Sequence, residues 1–212
     1  MTKLYGYFRS SAAYRARIAL NVKNIPYDDV FIHLARGDQH KAFAALNPQR
    51  LVPALDIDGA LLTQSLALIE YLDETRPEPP LLPKGARDRA RVRALALTVA
   101  CDIHPLNNLR VLQYLTGTLN ATEDEKTAWY RHWVNEGLAA LEASLARDPA
   151  TGAFCHGAAP TIADVCLVPQ MANARRFDCP LDAFPTLRRI EAACLALPAF
   201  DKARPENQPD AE

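Results

Sequence analysis

Between residues 74 and 85 four prolines (Pro77, Pro79, Pro80 and Pro83) and Gly85 end every hydrophobic period, and the chain is patterned differently on either side. Proline fixes φ and lacks the N–H that a helix or ladder needs, so this stretch reads as a stiff linker and a domain boundary. Before it, strand and helix periods alternate. Residues 4–8 read as a strand. A helix follows with Tyr14, Ile18 and Val22 on one stripe, and residues 27–34 form a second strand. A strand–helix–strand unit with so long a connection is parallel and right-handed. After a short segment at 40–46, residues 52–57 and 60–62 read as strands joined by a tight Asp58-Gly59 hairpin, and a helix starts near Ser65 with Leu66, Ile69 and Leu72 inward. Beyond the linker only helical periods occur, at 87–114, 123–146, 161–175 and 186–195. The expected architecture is an α/β domain of order βαβ-ββα over residues 1–80, followed by an all-α domain over 87–212.

Charge and cysteine usage narrow the function classes. With 24 basic and 25 acidic residues the chain carries no footprint for nucleic acid or an anionic membrane, so any anion site is local. The cysteines at 101, 155, 166, 179 and 194 are odd in number and show neither CxxC nor Cys/His spacing, which argues against a disulfide framework and a metal site. Cys101, Cys166 and Cys194 lie in helical patterns as small core residues. The first residues are too few and too polar for a signal peptide, and no apolar run has membrane-spanning length, so a cytoplasmic location is expected.

Three local patterns carry structure. Thr161 and Asp164 match a capping box, Arg87, Arg89, Arg91 and Arg93 read as a solvated face, and Pro105 should bend the helix over 87–114 beside His104, Asn107, Asn108 and Arg110. Residues 204–212 hold two prolines and no core pattern, and are expected to fray. A fourth pattern points to chemistry. Ser10 and Ser11 stand where a strand runs into a helix, and a helix start offers unpaired N–H groups, partial positive charge and hydroxyls to an anion; plain capping by these serines is the alternative.

The blocks Phe8-Arg9-Ser10-Ser11-Ala12-Ala13-Tyr14-Arg15, Leu46-Asn47-Pro48, Val52-Pro53-Ala54-Leu55, Gln64-Ser65-Leu66-Ala67, Ile69-Glu70-Tyr71-Leu72 and Ala172-Asn173-Ala174-Arg175-Arg176-Phe177 occur in the order found in zeta-class glutathione transferases. From end to end the chain resembles that class, which contains maleylacetoacetate isomerases and the maleylpyruvate isomerases of gentisate breakdown. The resemblance implies a thioredoxin-like first domain, glutathione as cofactor and a homodimer. It also implies site residues. Gln64 and Ser65 would hold the γ-glutamyl end of glutathione at a helix start, Val52 would pair its backbone with the cysteinyl part, and Pro53 would be cis. The glycyl end would meet Gln39 or His40, and His104 and Asn108 would complete the contacts.

Ser10 or Ser11 would donate to the glutathione thiolate, with Arg9 and Arg15 as candidate electrostatic helpers and a structural cap or surface role as the alternative for Arg15. A thiol of pKa about 8.5 is mostly protonated at neutral pH, and a hydrogen bond to a charged group is worth roughly 1.5–3 kcal/mol, enough to ionise much of it. A thiolate adds to the cis double bond of a maleyl diketo acid, the former double bond rotates, and elimination leaves the trans product with glutathione returned. Arg176, and Arg110 if it reaches, would take the carboxylates of this dianion. The family motif usually has Cys where this chain has Ala12, so the sulfur must come from the tripeptide. Maleylpyruvate is the expected substrate. Maleylacetoacetate isomerisation, or glutathione conjugation or binding without isomerisation, are the alternatives.

Overall fold

The computed structural model describes residues 1–212. Its contacts divide the chain into two units: Met1–Leu81 together with Leu195–Glu212, and Leu82–Cys194. The sequence placed all of 87–212 in one helical domain, whereas the last stretch packs within the first unit.

The first unit is built on β1 (Lys3–Gly6), α1 (Ser11–Val22), β2 (Asp28–Phe31), α2 (Phe43–Leu46), β3 (Ala54–Ile57), β4 (Ala60–Thr63) and α3 (Ser65–Thr75), with α9 (Pro198–Asp201) added from its end. The sheet order is β2-β1-β3-β4, with β1 parallel to β2 and the β1–β3 and β3–β4 pairs antiparallel. This is the expected βαβ-ββα order. The hairpin turns at Asp58 (φ 53°) and Gly59 (φ 79°), two left-handed residues whose twist matches that of paired strands. The strand expected at 27–34 is shorter, because Leu34–Arg36 and Asp38–His40 leave the ladder as single 3₁₀ turns.

Helix α1 departs from its predicted single stripe. All of Ser11–Leu20 is buried, Arg15 and Arg17 included, because α3 and α9 both pack against it. A further buried charge ties the linker to the helices: Lys23 Nζ donates to Asp73 Oδ1 at 2.7 Å and to the Pro79 carbonyl at 2.6 Å, while Leu81 N donates to the same carboxylate oxygen at 2.7 Å.

The second unit holds α4 (Ala86–Leu97), α5 (Leu109–Gly117), α6 (Glu123–Arg147), α7 (Ile162–Arg176) and α8 (Pro185–Leu195). The single bent helix expected over 87–114 is instead three pieces. A π-helical turn at Thr98–Ile103 and a 3₁₀ turn at His104–Asn107 separate α4 from α5, since Pro105 cannot donate and Asn108 starts a new helix as its N-cap. The Thr161–Asp164 capping box forms as expected, and Asp164 also accepts from Cys155 N at 2.8 Å. Arg91 is no solvated residue. Its guanidinium donates to Asp148 Oδ2, the Cys155 carbonyl and the Thr151 hydroxyl, pinning the 148–156 loop. Cys101 is exposed on the π-helical turn, contrary to the core role expected of it, whereas Cys166 and Cys194 are buried. No helix is long and apolar enough to cross a membrane, and no group of three or more His, Cys, Asp or Glu residues is arranged to hold a metal ion.

Candidate functional site

Within the first unit, the loops at one end of the sheet carry eight of the thirteen residues singled out from sequence as contacts of glutathione or substrate. Ser10 is the N-cap of α1. Its Oγ accepts from Ala13 N at 3.2 Å, which leaves the hydroxyl proton free to be donated outward. Ser11 follows as the first helical residue and is buried. Both serines therefore sit at the positive end of a 12-residue helix with no acidic residue in its first turn. Arg9, a ninth sequence candidate, is exposed beside them and lies over the Phe8 ring at 4.9 Å.

The start of α3 makes a second anion-favouring end. Ser65 is buried as its first residue, and Arg15, 2% exposed, directs Nη1 to Ser65 Oγ at 3.4 Å. The sequence paired Arg15 with the thiol; the fold sets it beside Ser65. Gln64 precedes with φ 70°, a left-handed conformation that costs a non-glycine residue energy and is found where a site over-determines the backbone. Its Nε2 donates to Gln49 Oε1 at 3.0 Å.

Between these helix starts lie Val52 and Pro53, both buried, joined by the expected cis peptide bond and placed just ahead of the paired stretch of β3. The loop before them is fixed by buried Asn47, whose Nδ2 donates to the Leu51 carbonyl at 2.8 Å and whose Oδ1 accepts from Gln49 N at 3.1 Å. Asn47 belongs to the Leu46-Asn47-Pro48 block, and its loop-fixing bonds leave no periodicity in the sequence that would disclose them.

Gln39 and His40, left as alternatives by the sequence, differ in the fold. Gln39 is 7% exposed and its Oε1 has no hydrogen-bond partner, a costly state for a buried acceptor that a ligand N–H would relieve. His40 is exposed and faces Arg50, with Nδ1 3.3 Å from Nη1. These features fit glutathione: an extended tripeptide has a carboxylate for a helix start, a backbone for the Val52 stretch and an N–H for Gln39.

The remaining four candidates belong to the second unit. Asn108 caps α5, its Oδ1 accepting from Arg110 N at 3.1 Å, and its Nδ2 lies 3.5 Å from His104 Nε2. Arg110 is exposed in the first turn of α5. Arg176 ends α7 as an exposed residue, with its guanidinium 5.0 Å from the Phe177 ring centroid. The Phe177 ring stacks at 3.6 Å on Tyr130. Burial raises the Tyr130 hydroxyl to about 12, partly offset by Arg176, so Tyr130 stays a neutral hydrogen-bond partner that orients this arginine. The chain's own thiols are poor nucleophiles where they are shifted, since burial pushes Cys155, Cys179 and Cys194 upward.

A four-stranded sheet with this order and two serine-bearing helix starts is the arrangement of a glutathione transferase, and the profile of the glutathione S-transferase N-terminal domain matches residues 4–80. A probable maleylacetoacetate isomerase of Vibrio cholerae is 55% identical over 212 residues, 98% of this chain and 97% of its own length. A holo structure of a maleyl pyruvate isomerase, a bacterial zeta-class glutathione S-transferase, superposes with a TM-score of 0.97 at 49% identity, covering 99% of this chain and 100% of that one. The maleylacetoacetate isomerase of Methylobacterium extorquens, solved with malonate and glutathione bound, gives 0.96 at 47% identity and covers 99% of each chain. The chain belongs to the zeta-class glutathione transferase family, that of the maleylacetoacetate and maleylpyruvate isomerases.

Proposed function

We propose that this enzyme isomerises maleylpyruvate to fumarylpyruvate with glutathione as a catalyst that is not consumed. The observation that carries the reading is the set of two helix starts with buried serines and the unpaired Gln39 oxygen, all within the first unit. When bound, glutathione supplies a sulfur nucleophile that adds reversibly to the double bond and leaves after rotation. The chain's residues bind and orient. Ser65 and the α3 N–H groups take the γ-glutamyl carboxylate, with Arg15 adding positive charge behind Ser65 and Gln64 at the same end. Val52 pairs along the peptide and Gln39 takes the glycyl end. Ser10 or Ser11 holds the thiol in its ionised form by donating to sulfur, and Arg9 adds positive charge nearby.

Arg176 receives a substrate carboxylate, and Tyr130 and Phe177 hold its guanidinium in place for that purpose. His104, Asn108 and Arg110 extend the polar lining. Arg176→Ala is expected to raise KM for the dianion by about tenfold or more, since a charge-assisted bond is worth roughly 1.5–3 kcal/mol, while Kd for glutathione stays unchanged. Steady-state kinetics beside calorimetry check this split. The Vibrio cholerae relative favours a second reading, maleylacetoacetate as substrate with the same chemistry. Ultraviolet assay of both acids under one set of conditions ranks them by kcat/KM, and a higher value for maleylacetoacetate would replace the first reading. Five cysteines, none of them in a disulfide, suit a reducing cytoplasm. The exposed Leu97, Leu109, Tyr114 and Leu119 offer apolar area for the second subunit of a homodimer.

A further inference from the structure

Residues 204–212, expected to fray, instead act together with Ala203 just before them to hold the two loops that carry the serines and Gln39. The Phe8 peptide is bonded on both sides: its N–H donates to Asp210 Oδ2 at 3.1 Å and its carbonyl accepts from Arg17 Nη2 at 3.2 Å. Arg17 is 2% exposed, and its Nε donates to the Ala203 carbonyl at 3.0 Å, so one guanidinium ties this turn to the start of the segment. Ser10 N donates to the Tyr7 carbonyl at 2.9 Å, which closes the turn from Tyr7 to Ser10 into one unit that moves with the Phe8 peptide.

At the other end of the segment Glu212 Oε1 accepts from Arg36 Nη2 at 2.6 Å and lies 3.1 Å from His33 Nε2. His33 Nδ1 accepts from Arg36 N, so the proton of the neutral ring sits on Nε2 and is donated to Glu212. The His33 ring packs on Tyr7 at 4.9 Å, and His33 N donates to Asp38 Oδ2 at 3.2 Å, next in sequence to Gln39. One short segment thus bonds to the serine turn with Asp210 and to the 33–40 loop with Glu212.

We propose that Asp210 is a positioning residue for the thiol site, assisted by Glu212: it fixes the Phe8 peptide, and through it aims the Ser10–Ser11 hydroxyls and sets them against the Gln39 loop. The inference rests on the reading of these serines as donors to the glutathione sulfur. Phe8 is buried, so its N–H needs a partner inside the protein, and a carboxylate is a stronger one than a neutral acceptor. A hydroxyl directed at sulfur acts only while it is held within about 0.5 Å of the productive place, and a β1–α1 turn released at Phe8 loses that precision.

Glutathione binding by calorimetry and ultraviolet titration of the bound thiol, both on the full chain and neither requiring turnover, test this. Asp210→Ala is expected to weaken binding by about fivefold and to move the thiol's ionisation midpoint up by about half a pH unit, as one hydrogen bond's worth of ordering is lost. Asp210→Asn, whose amide oxygen accepts the same bond, is expected to restore most of both. Thermal unfolding of each variant separates this effect from loss of fold. Asp210→Ala with unchanged affinity and midpoint overturns the proposal. So does Asp210→Asn as impaired as Asp210→Ala, which would make charge and not the hydrogen bond responsible. A wild-type chain that bound no glutathione would overturn the reading of the site itself, a result distinct from either.

Discussion

Ser11→Ala is expected to lower turnover at neutral pH by about 10- to 100-fold, because a hydrogen bond to a charged group contributes roughly 1.5–3 kcal/mol to holding the sulfur ionised. Ser10 accepts from Ala13 N as the cap of α1, so its removal also costs about 1 kcal/mol of helix stability. The deficit should depend on pH in a defined direction. Loss of the donor raises the bound thiol's pKa toward the free value of about 8.5, so the variant's rate climbs toward wild type as pH rises through that value. A kcat–pH profile with the thiolate absorbance measured alongside checks this. An unshifted profile in Ser11→Ala would assign the donation to Ser10.

The second large effect concerns the fold. Asp73→Ala leaves the Lys23 ammonium, whose side chain is fully buried, with the Pro79 carbonyl as its remaining acceptor in this cluster, and also strips Leu81 N of its partner. Removing one member of a buried ion pair costs about 3–5 kcal/mol, a large share of the roughly 5–15 kcal/mol by which domains are stable. Denaturant unfolding should show that loss. The double variant Lys23→Met/Asp73→Leu should recover part of it, since two apolar side chains leave no charge unpaired there. If Asp73→Ala unfolds at the wild-type midpoint, the cluster does not hold the linker to the helices.

The same contrast between local pattern and distant contact separates what the chain discloses in sequence from what it does not. Asp58-Gly59 announced its hairpin because left-handed turn residues are a local requirement, and Thr161 with Asp164 announced a helix start for the same reason. Ser10, Ser11 and Ser65 could be placed at helix starts from periodicity alone. Arg17 and Arg91 could not be read as anchors, because their partners at Ala203 and Asp148 lie far along the chain and leave no period behind. The 204–212 segment misled for a related reason: it is held by the backbone and charged groups of loops, and its own sequence carries no apolar stripe. The π-helical and 3₁₀ turns between α4 and α5 were hidden because apolar spacing tracks a helix whether its turns are wide or tight. Gln39 and His40 were inseparable as neighbours in sequence, and only burial distinguishes the acceptor inside from the imidazole outside.

The proposed chemistry requires that the reacting sulfur belong to glutathione and return after each turnover. Purified enzyme, freed of small thiols, should be given excess maleylpyruvate and a hundredth as much glutathione, with double-bond absorbance followed and free thiol titrated at the end. Conversion of essentially all the substrate to the trans acid is expected, with every thiol recovered and no enzymatic rate when glutathione is left out. Equal rates with and without glutathione, or one thiol lost per product formed, would rule out glutathione as the recycled nucleophile.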